Sequence, residues 1–208
     1  MLMTILAVGS AKGGVGKSTT SLYLATYAAQ MLGSTVANPV VAILDRDNST
    51  HLSDLLHTRP DLLRPGVVLL PGEDLPPRDL GYKLVIIDTP PGFAALQSLQ
   101  EAELVLVPVQ PEDQGVLGLV RYLDGIKRRG LVINPSLRLV ALLPTMVQRV
   151  VLHEQRLEEI RLVAAEHEPP LRVLTPVPRR AHIARYDLAA PEYKLVGEEL
   201  FNHAFVLS

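Results

Sequence analysis

Residues 9–19 read Gly9-Ser10-Ala11-Lys12-Gly13-Gly14-Val15-Gly16-Lys17-Ser18-Thr19, directly after the apolar run Met3–Val8. A glycine-rich segment between a strand and a helix turns backbone N–H groups inward around a polyphosphate. Gly13, Gly14 and Gly16 supply that turn, Val15 lies within it, and Thr19 follows in the first turn of the helix. Lys17 reaches β/γ-phosphate oxygens from such a position, and the Ser18 hydroxyl holds Mg²⁺. A helix opening at Lys17 adds its positive end to the same anion site. The strict pattern G-x-x-x-x-G-K-[ST] would put glycine at position 11, where this chain has Ala11, and a second lysine, Lys12, stands inside the loop. One nucleotide does not need a second loop cation, so Lys12 requires its own explanation. Strand, glycines, Gly-Lys-Ser and helix coincide here, which an incidental glycine-rich turn does not account for.

The 208 residues suit one domain, 1–208, with a full core; 48% are hydrophobic. There is no cysteine, which excludes disulfides, thiolate metal sites and cysteine-held iron–sulfur clusters. No cationic segment precedes Met1–Val8, so no secretory signal is expected, and no run of 18 apolar residues exists to span a membrane. A reducing cytoplasm fits this composition. Charge is uneven: residues 1–120 carry 7 Lys+Arg against 12 Asp+Glu, and residues 121–208 carry 13 against 10. Ordinary solvated helix faces explain most of the basic excess; a nucleic-acid surface is the sharper alternative.

Apolar runs that read as buried parallel strands lie at Thr4–Val8, Val40–Leu44, Val67–Leu70, Leu84–Ile87, Leu104–Val109 and Leu137–Leu143, with a short one at Arg172–Leu174. Helical patterns separate them at Lys17–Leu32, His51–Leu56, Ala94–Glu101, Gln114–Arg129, Leu152–Glu166 and Glu192–Phe205. The alternation predicts an α/β fold, a doubly wound, mostly parallel sheet flanked by helices. Arg59–Leu80 is the least regular stretch and reads as a loop-rich excursion around one short strand.

Ligands of such sheets bind beyond the carboxyl ends of the strands. Two strands there end in acid: Val40–Leu44 runs into Asp45-Arg46-Asp47, and Leu84–Ile87 into Asp88-Thr89-Pro90-Pro91-Gly92. An aspartate straight after an apolar strand is a usual second anchor for Mg²⁺, directly or through its waters, and Asp88 fits that role. Singly, each aspartate is more often a helix cap or turn residue. Beside a phosphate loop they read as a site.

These motifs together resemble the ParA/MinD family of ATPases with a deviant Walker A motif. Lys12–Thr19 is similar to that motif, Asp45-Arg46-Asp47 to the family's Asp-x-Asp, and Leu84–Gly92 to its Walker B and switch II segment. Val107-Pro108-Val109-Gln110-Pro111-Glu112, Leu142–Met146 and Thr175–Arg179 resemble three further segments, so the likeness covers essentially the whole chain. It implies a P-loop NTPase fold, ATP and Mg²⁺ as cofactors, and slow hydrolysis of ATP that a partner stimulates. It also implies a homodimer on ATP binding, in which Lys12 contacts the partner's nucleotide while Lys17 acts in cis. Asp47 would position the attacking water. Ser18, Asp45 and Asp88 would form the metal side, Asp45 through water. Gly13, Gly14, Val15, Gly16, Lys17, Ser18 and Thr19 would hold the phosphates, and Thr145, Pro178 and Arg179 would contact the base side, walled by Pro144, Pro176 and Val177. The chain departs from many members in carrying Asn48-Ser49 where they have Pro-Gln, and in a longer segment Gly33–Pro39.

The resemblance leaves three jobs open: segregation of plasmid or chromosomal DNA with a ParB-like centromere-binding protein, positioning of a protein cargo through an adaptor, and MinD-like action on membranes. The first two imply non-specific DNA binding and a nucleoid-associated location in the cytoplasm. The third needs a basic amphipathic tail, whereas Glu192–Ser208 is acidic, which argues against it. The phosphate loop starts at residue 10, so no sequence-reading helix-turn-helix is expected before it. Candidate DNA contacts are Lys127, Arg128, Arg129, Arg149, Arg156, Arg161, Arg179, Arg180 and Arg185. A metabolic P-loop synthetase resembling dethiobiotin synthetase is the alternative of a different class; it would convert a small acid with ATP.

Overall fold

The computed structural model describes residues 3–47, 51–70 and 74–204. Seven strands form one sheet: β1 (Thr4–Val8), β2 (Val41–Asp45), β3 (Val67–Leu70), β4 (Leu84–Asp88), β5 (Leu104–Val109), β6 (Arg138–Pro144) and β7 (Arg172–Val173). Their order is β3-β2-β4-β1-β5-β6-β7, and every pair is parallel. The helices are α1 (Lys17–Met31), α2 (His51–Thr58), α3 (Ala95–Ser98), α4 (Asp113–Gly125), α5 (Leu131–Ile133), α6 (Val151–Glu166), α7 (Ala181–Ala184) and α8 (Pro191–Ala204). This is the doubly wound α/β architecture expected from the alternation of apolar runs.

A sheet buried on both faces needs apolar side chains at successive positions. β1 meets that need: Leu6 and Val8 enter one core with α1, α2 and α8, while Ile5 and Ala7 enter the other with α3, α4 and α6. α1 is built from Ala, Leu and Tyr and is buried nearly all round, with Leu22, Leu24, Ala25 and Ala28 fully enclosed. Tyr193 of α8 stacks on Tyr23 of α1 at 4.2 Å between ring centroids and shares a 3.0 Å hydrogen bond with Thr20. The helix that starts at the phosphate loop is thereby fixed to the last helix.

Strand and helix ends differ from expectation by one or two residues in most cases, with three larger departures. Ala94–Glu101 yields only the short α3, preceded by a 3₁₀ turn at Gly92–Ala94. The pattern Gln114–Arg129 is not one α-helix: α4 passes at Ile126–Gly130 into a π turn and then α5. The wider turn keeps Ile126 and Gly130, four residues apart, both buried, and Gly130 lets Leu137 and Leu99 pack within 3.7 Å of where a Cβ would stand. α7 was not visible as a pattern, being four residues long. The described residues of Arg59–Leu80 are irregular as expected: 3₁₀ turns at Pro60–Leu62 and Arg78–Leu80 lie either side of β3.

At the amino end of β6 and β7 a cavity of about 360 Å³ is walled by Leu131, Leu139, Leu171 and Leu174. The cations Lys127, Arg138 and Arg172 at its lining are offset by Glu168 and Glu199, and Glu199 already accepts hydrogen bonds from Thr175 N–H (2.8 Å) and Oγ1 (2.5 Å).

Candidate functional site

β1 is flanked by β4 and β5, so the chain turns from one side of the sheet to the other there, and the crevice beyond their carboxyl ends is where ligands bind in this architecture. Residues 9–16 cross that crevice. Gly14 has φ 74° and Gly16 φ 85°, left-handed conformations that a Cβ would strain. Gly16 caps α1 without any side-chain hydrogen bond, and the first turn of α1 carries no acidic residue. The leading N–H groups of the helix thus remain available to an anion.

Lys17 is 5% exposed, and its Nζ lies 3.9 Å from Oδ2 of Asp47, itself 8% exposed. β2 and β4 are in register at Asp45 and Asp88, so the two acidic segments stand side by side. Asp45 accepts hydrogen bonds from Asp47 N–H (3.1 Å) at Oδ1, and from Ser53 N–H (2.9 Å) and Ser53 Oγ (2.6 Å) at Oδ2. Its carboxylate therefore ties the segment after β2 to the first turn of α2. Asn48 and Ser49, the departure noted above, lie outside the described residues.

Asp88 is fully buried. Its Oδ1 accepts from Ser21 Oγ (3.2 Å), while Oδ2 has no hydrogen-bond partner. Burial pushes its carboxyl up to about 7; Asp45 adds to that, and the neighbouring Ser18 hydroxyl, the hydrogen bond from Ser21 and the charge of Lys17 oppose it. A buried carboxylate oxygen without a donor, next to a serine hydroxyl, fits a hard cation of the Mg²⁺ type, which takes one or two protein oxygens and completes its shell with phosphates and water. Among the described residues no cluster of three or more His, Cys, Asp or Glu could hold a metal by itself.

On the other side of the loop, Thr145 Oγ1 donates to Val15 C=O (2.8 Å), which fastens the loop to the end of β6. Val147 N–H donates to Val177 C=O (3.1 Å) and Arg179 N–H to Val147 C=O (2.9 Å), so the segments 144–147 and 177–179 run side by side. The structure thus brings Thr145 onto the loop and Pro178 and Arg179 onto the neighbouring strand-like segment. Met146 holds φ 54° between them, and its Cε comes within 3.7 Å of where a Cβ on Gly16 would stand.

The sequence model of the CobQ/CobB/MinD/ParA nucleotide binding domain matches residues 6–189. The chain belongs to this family. It is 33% identical over 234 aligned residues to the chromosome-partitioning ATPase Soj of Thermus thermophilus, covering 96% of this chain and 88% of that one. It is 28% identical over 202 residues to the chromosome partitioning protein ParA of Myxococcus xanthus, covering 76% and 70%. The structure of apo McdA from Cyanothece shares the fold at a TM-score of 0.76 and 17% identity, covering 97% and 99%. Cobyrinic acid a,c-diamide synthase from Mycobacterium smegmatis, solved with an ATP analog and magnesium, gives 0.73 at 26% identity, covering 98% and 96%.

Within this family member, Lys12 does not point freely away from its own site. Its Nζ donates to Glu112 Oε2 (3.0 Å) and Gln110 Oε1 (3.2 Å). Neither acceptor is marked as a site residue by the sequence, although both lie in the segment Val107–Glu112. The signal was topological: β5 neighbours β1, so polar residues just past β5 must face the loop just past β1. Ser53 and Ser21, the partners of Asp45 and Asp88, were missed because nothing in their spacing marks them.

The candidate DNA contacts separate by partner. Arg128 pairs with Asp124 (2.7 Å), Arg156 with Asp113 (2.6 Å) and Glu159, and Arg161 with Glu158 (3.1 Å). Lys127, Arg129, Arg149, Arg179, Arg180 and Arg185 are exposed and form no salt bridge among the described residues. No helix of the described residues is long and apolar enough to cross a membrane.

Proposed function

We propose that this chain is an ATPase that dimerises on ATP and Mg²⁺, binds DNA without sequence preference in that form, and segregates plasmid or chromosomal DNA with a centromere-binding partner. The observation that carries the reading is a phosphate loop with two lysines in different settings. Lys17 is buried beside Asp47, whereas Lys12, a third exposed, sits at the loop's edge. On this reading Lys17 serves the nucleotide of its own protomer and Lys12 serves the partner's. Similarity to Soj along nearly the full chain supports partition as the task.

The loop amides and Lys17 bind the β- and γ-phosphates. Ser18 and Asp88 would hold Mg²⁺, and the ion would supply charge neutralisation at the transferring phosphate. Asp47 orients the attacking water, and Asp45 holds Asp47 and the start of α2 in place, with any contact to the metal passing through water. Thr145, Pro178 and Arg179 border the base. Residues 1–208 act as one domain in this scheme.

Likeness to the diamide synthase favours a second reading, a synthetase that spends ATP on a small carboxylic acid. Light scattering with and without ATP·Mg²⁺, followed by DNA retention at low salt, separates the two. Partition requires a monomer without nucleotide, a two-fold dimer with ATP, and DNA retention by the dimer alone; Lys12→Ala weakens the dimer and stops turnover. An unchanged dimer and normal turnover in Lys12→Ala overturn the reading, and ATP-dependent binding to anionic vesicles without DNA retention moves the chain to the membrane branch.

A further inference from the structure

The site contains a competitor for Lys12. Glu112 and Gln110 accept hydrogen bonds from its ammonium at 3.0 and 3.2 Å, within the same protomer. The Gln110 amide and the backbone of Glu112 are both fixed. Gln110 Nε2 donates to Met146 Sδ (2.8 Å) and Gly14 C=O (3.5 Å), which fixes the amide with its oxygen towards Lys12. Glu112 precedes α4, and its carbonyl accepts from Gly115 N–H (2.9 Å) and Val116 N–H (3.0 Å). Gly115 packs its bare Cα against the Gln110 carbonyl, where a Cβ would collide. At Gly118 α4 passes so close to the loop that a Cβ there would stand 3.8 Å from Ala11 Cβ. The acceptors are thus built into the joint between β5, α4 and the phosphate loop.

We propose that Glu112 and Gln110 are positioning residues that hold Lys12 in cis in the resting protomer and release it only when a partner's ATP offers replacement negative charge. The inference rests on the proposed ATP dimer and adds what makes that dimer conditional. Glu112 is the stronger holder because it is charged; Gln110 sets the direction. A half-exposed ion pair shifts an equilibrium by about two- to fivefold. A two-fold dimer carries two such contacts, so removing both shifts dimerisation by the square, about four- to 25-fold.

Glu112→Gln keeps the shape and removes the charge. In nucleotide-free protein, acetylation of lysines by an N-hydroxysuccinimide ester reads the contact without any dimer: the rate at Lys12 rises at least about twofold, while Lys127 is unchanged. With ATP·Mg²⁺, the variant dimerises at correspondingly lower protein concentration and has a higher basal turnover. In a Lys12→Ala background, Glu112→Gln brings neither gain. Unchanged Lys12 labelling overturns the contact itself. Faster labelling with an unchanged dimerisation midpoint overturns its gating role while the ATP dimer stands. A gain that persists without Lys12 assigns Glu112 a different role and overturns the proposal. A wild-type chain that never dimerises on ATP is the separate failure of the underlying reading, recognisable because the labelling change is still seen.

Discussion

Lys17 Nζ and Asp47 Oδ2 lie 3.9 Å apart in a site where both side chains are nearly buried. The cation proposed to grip phosphate and the carboxylate proposed to orient water thus neutralise one another in the unliganded chain. Removing either leaves the other with less compensation, but the consequences differ because their tasks differ.

Asp47→Ala should lower kcat by about 100-fold or more, the usual scale for a group that orients or activates a nucleophile. ATP affinity should hold or tighten, because Lys17 loses a competitor for its charge. The expected product is a trapped ATP dimer, seen by light scattering and single-turnover kinetics. Lys17→Ala should instead lose ATP binding, measured with a fluorescent ATP analogue. Wild-type turnover in Asp47→Ala would transfer the role to another group.

Asp45 should prove more important for order than for affinity. Its two oxygens are taken by Asp47 N–H and by Ser53 N–H and Oγ. Ser53→Ala removes the shortest of these, at 2.6 Å, and leaves the backbone donor. A charge-assisted hydrogen bond of this kind contributes about 1–2 kcal/mol, so denaturant unfolding should show a loss of that size. Turnover should fall several-fold with little change in ATP affinity. If turnover is unaffected, the link from α2 through Asp45 to Asp47 does not bear on hydrolysis.

Gly9 and Tyr122 make a prediction about the loop's support. A Cβ on Gly9 would collide with the Tyr122 hydroxyl, and the next atom, Tyr122 Cζ, is 3.2 Å away. That hydroxyl is buried without a hydrogen-bond partner, and burial raises its pKa well above that of a free tyrosine. Gly9→Ala should therefore destabilise by about 1–3 kcal/mol through overpacking. Tyr122→Phe should be neutral or stabilising, because it removes an unsatisfied polar atom. The double variant should recover most of the loss in thermal unfolding. Additive effects would show that the clash is relieved elsewhere.

The sheet was legible because parallel strands buried on both faces leave unbroken apolar runs, and Thr4–Val8, Val67–Leu70 and Leu104–Val109 match β1, β3 and β5 to the residue. Strand order is not written in those runs; β1 between β4 and β5 follows from packing of the whole sheet. The π turn at Ile126–Gly130 escaped notice because an extra residue in a turn changes the helical period only locally. In the site, Lys12, Lys17 and the three aspartates were marked by loop and strand-end positions. Their partners Glu112, Gln110, Ser53 and Ser21 come from other elements, and side-chain contacts between elements leave no spacing to read. The arginines were legible only as a count, since Asp113, which neutralises Arg156, lies 43 positions earlier in the chain.

That difference among arginines gives the last prediction. Binding to DNA backbone depends on cations that release counterions, with a slope in log K against log salt of about −0.9 per phosphate contact. Arg128, Arg156 and Arg161 already hold carboxylates, so each must break an ion pair to reach a phosphate. Arg149 and Arg180 are exposed and form no salt bridge among the described residues, and they flank the paired segments at Val147 and Pro178. Arg179 is set aside because it also borders the proposed base site. Arg149→Ala with Arg180→Ala removes four cations from an ATP dimer. The salt slope should drop by about three to four units, and affinity at low salt by about a hundredfold. ATP binding and dimerisation should be retained. Arg128→Ala with Arg156→Ala should change both quantities far less, because cations that hold carboxylates make no phosphate contact to lose. DNA retention measured from about 50 to 200 mM salt distinguishes the pairs. Equal slopes for the two double variants would show that ion pairing within the protomer does not select the DNA face.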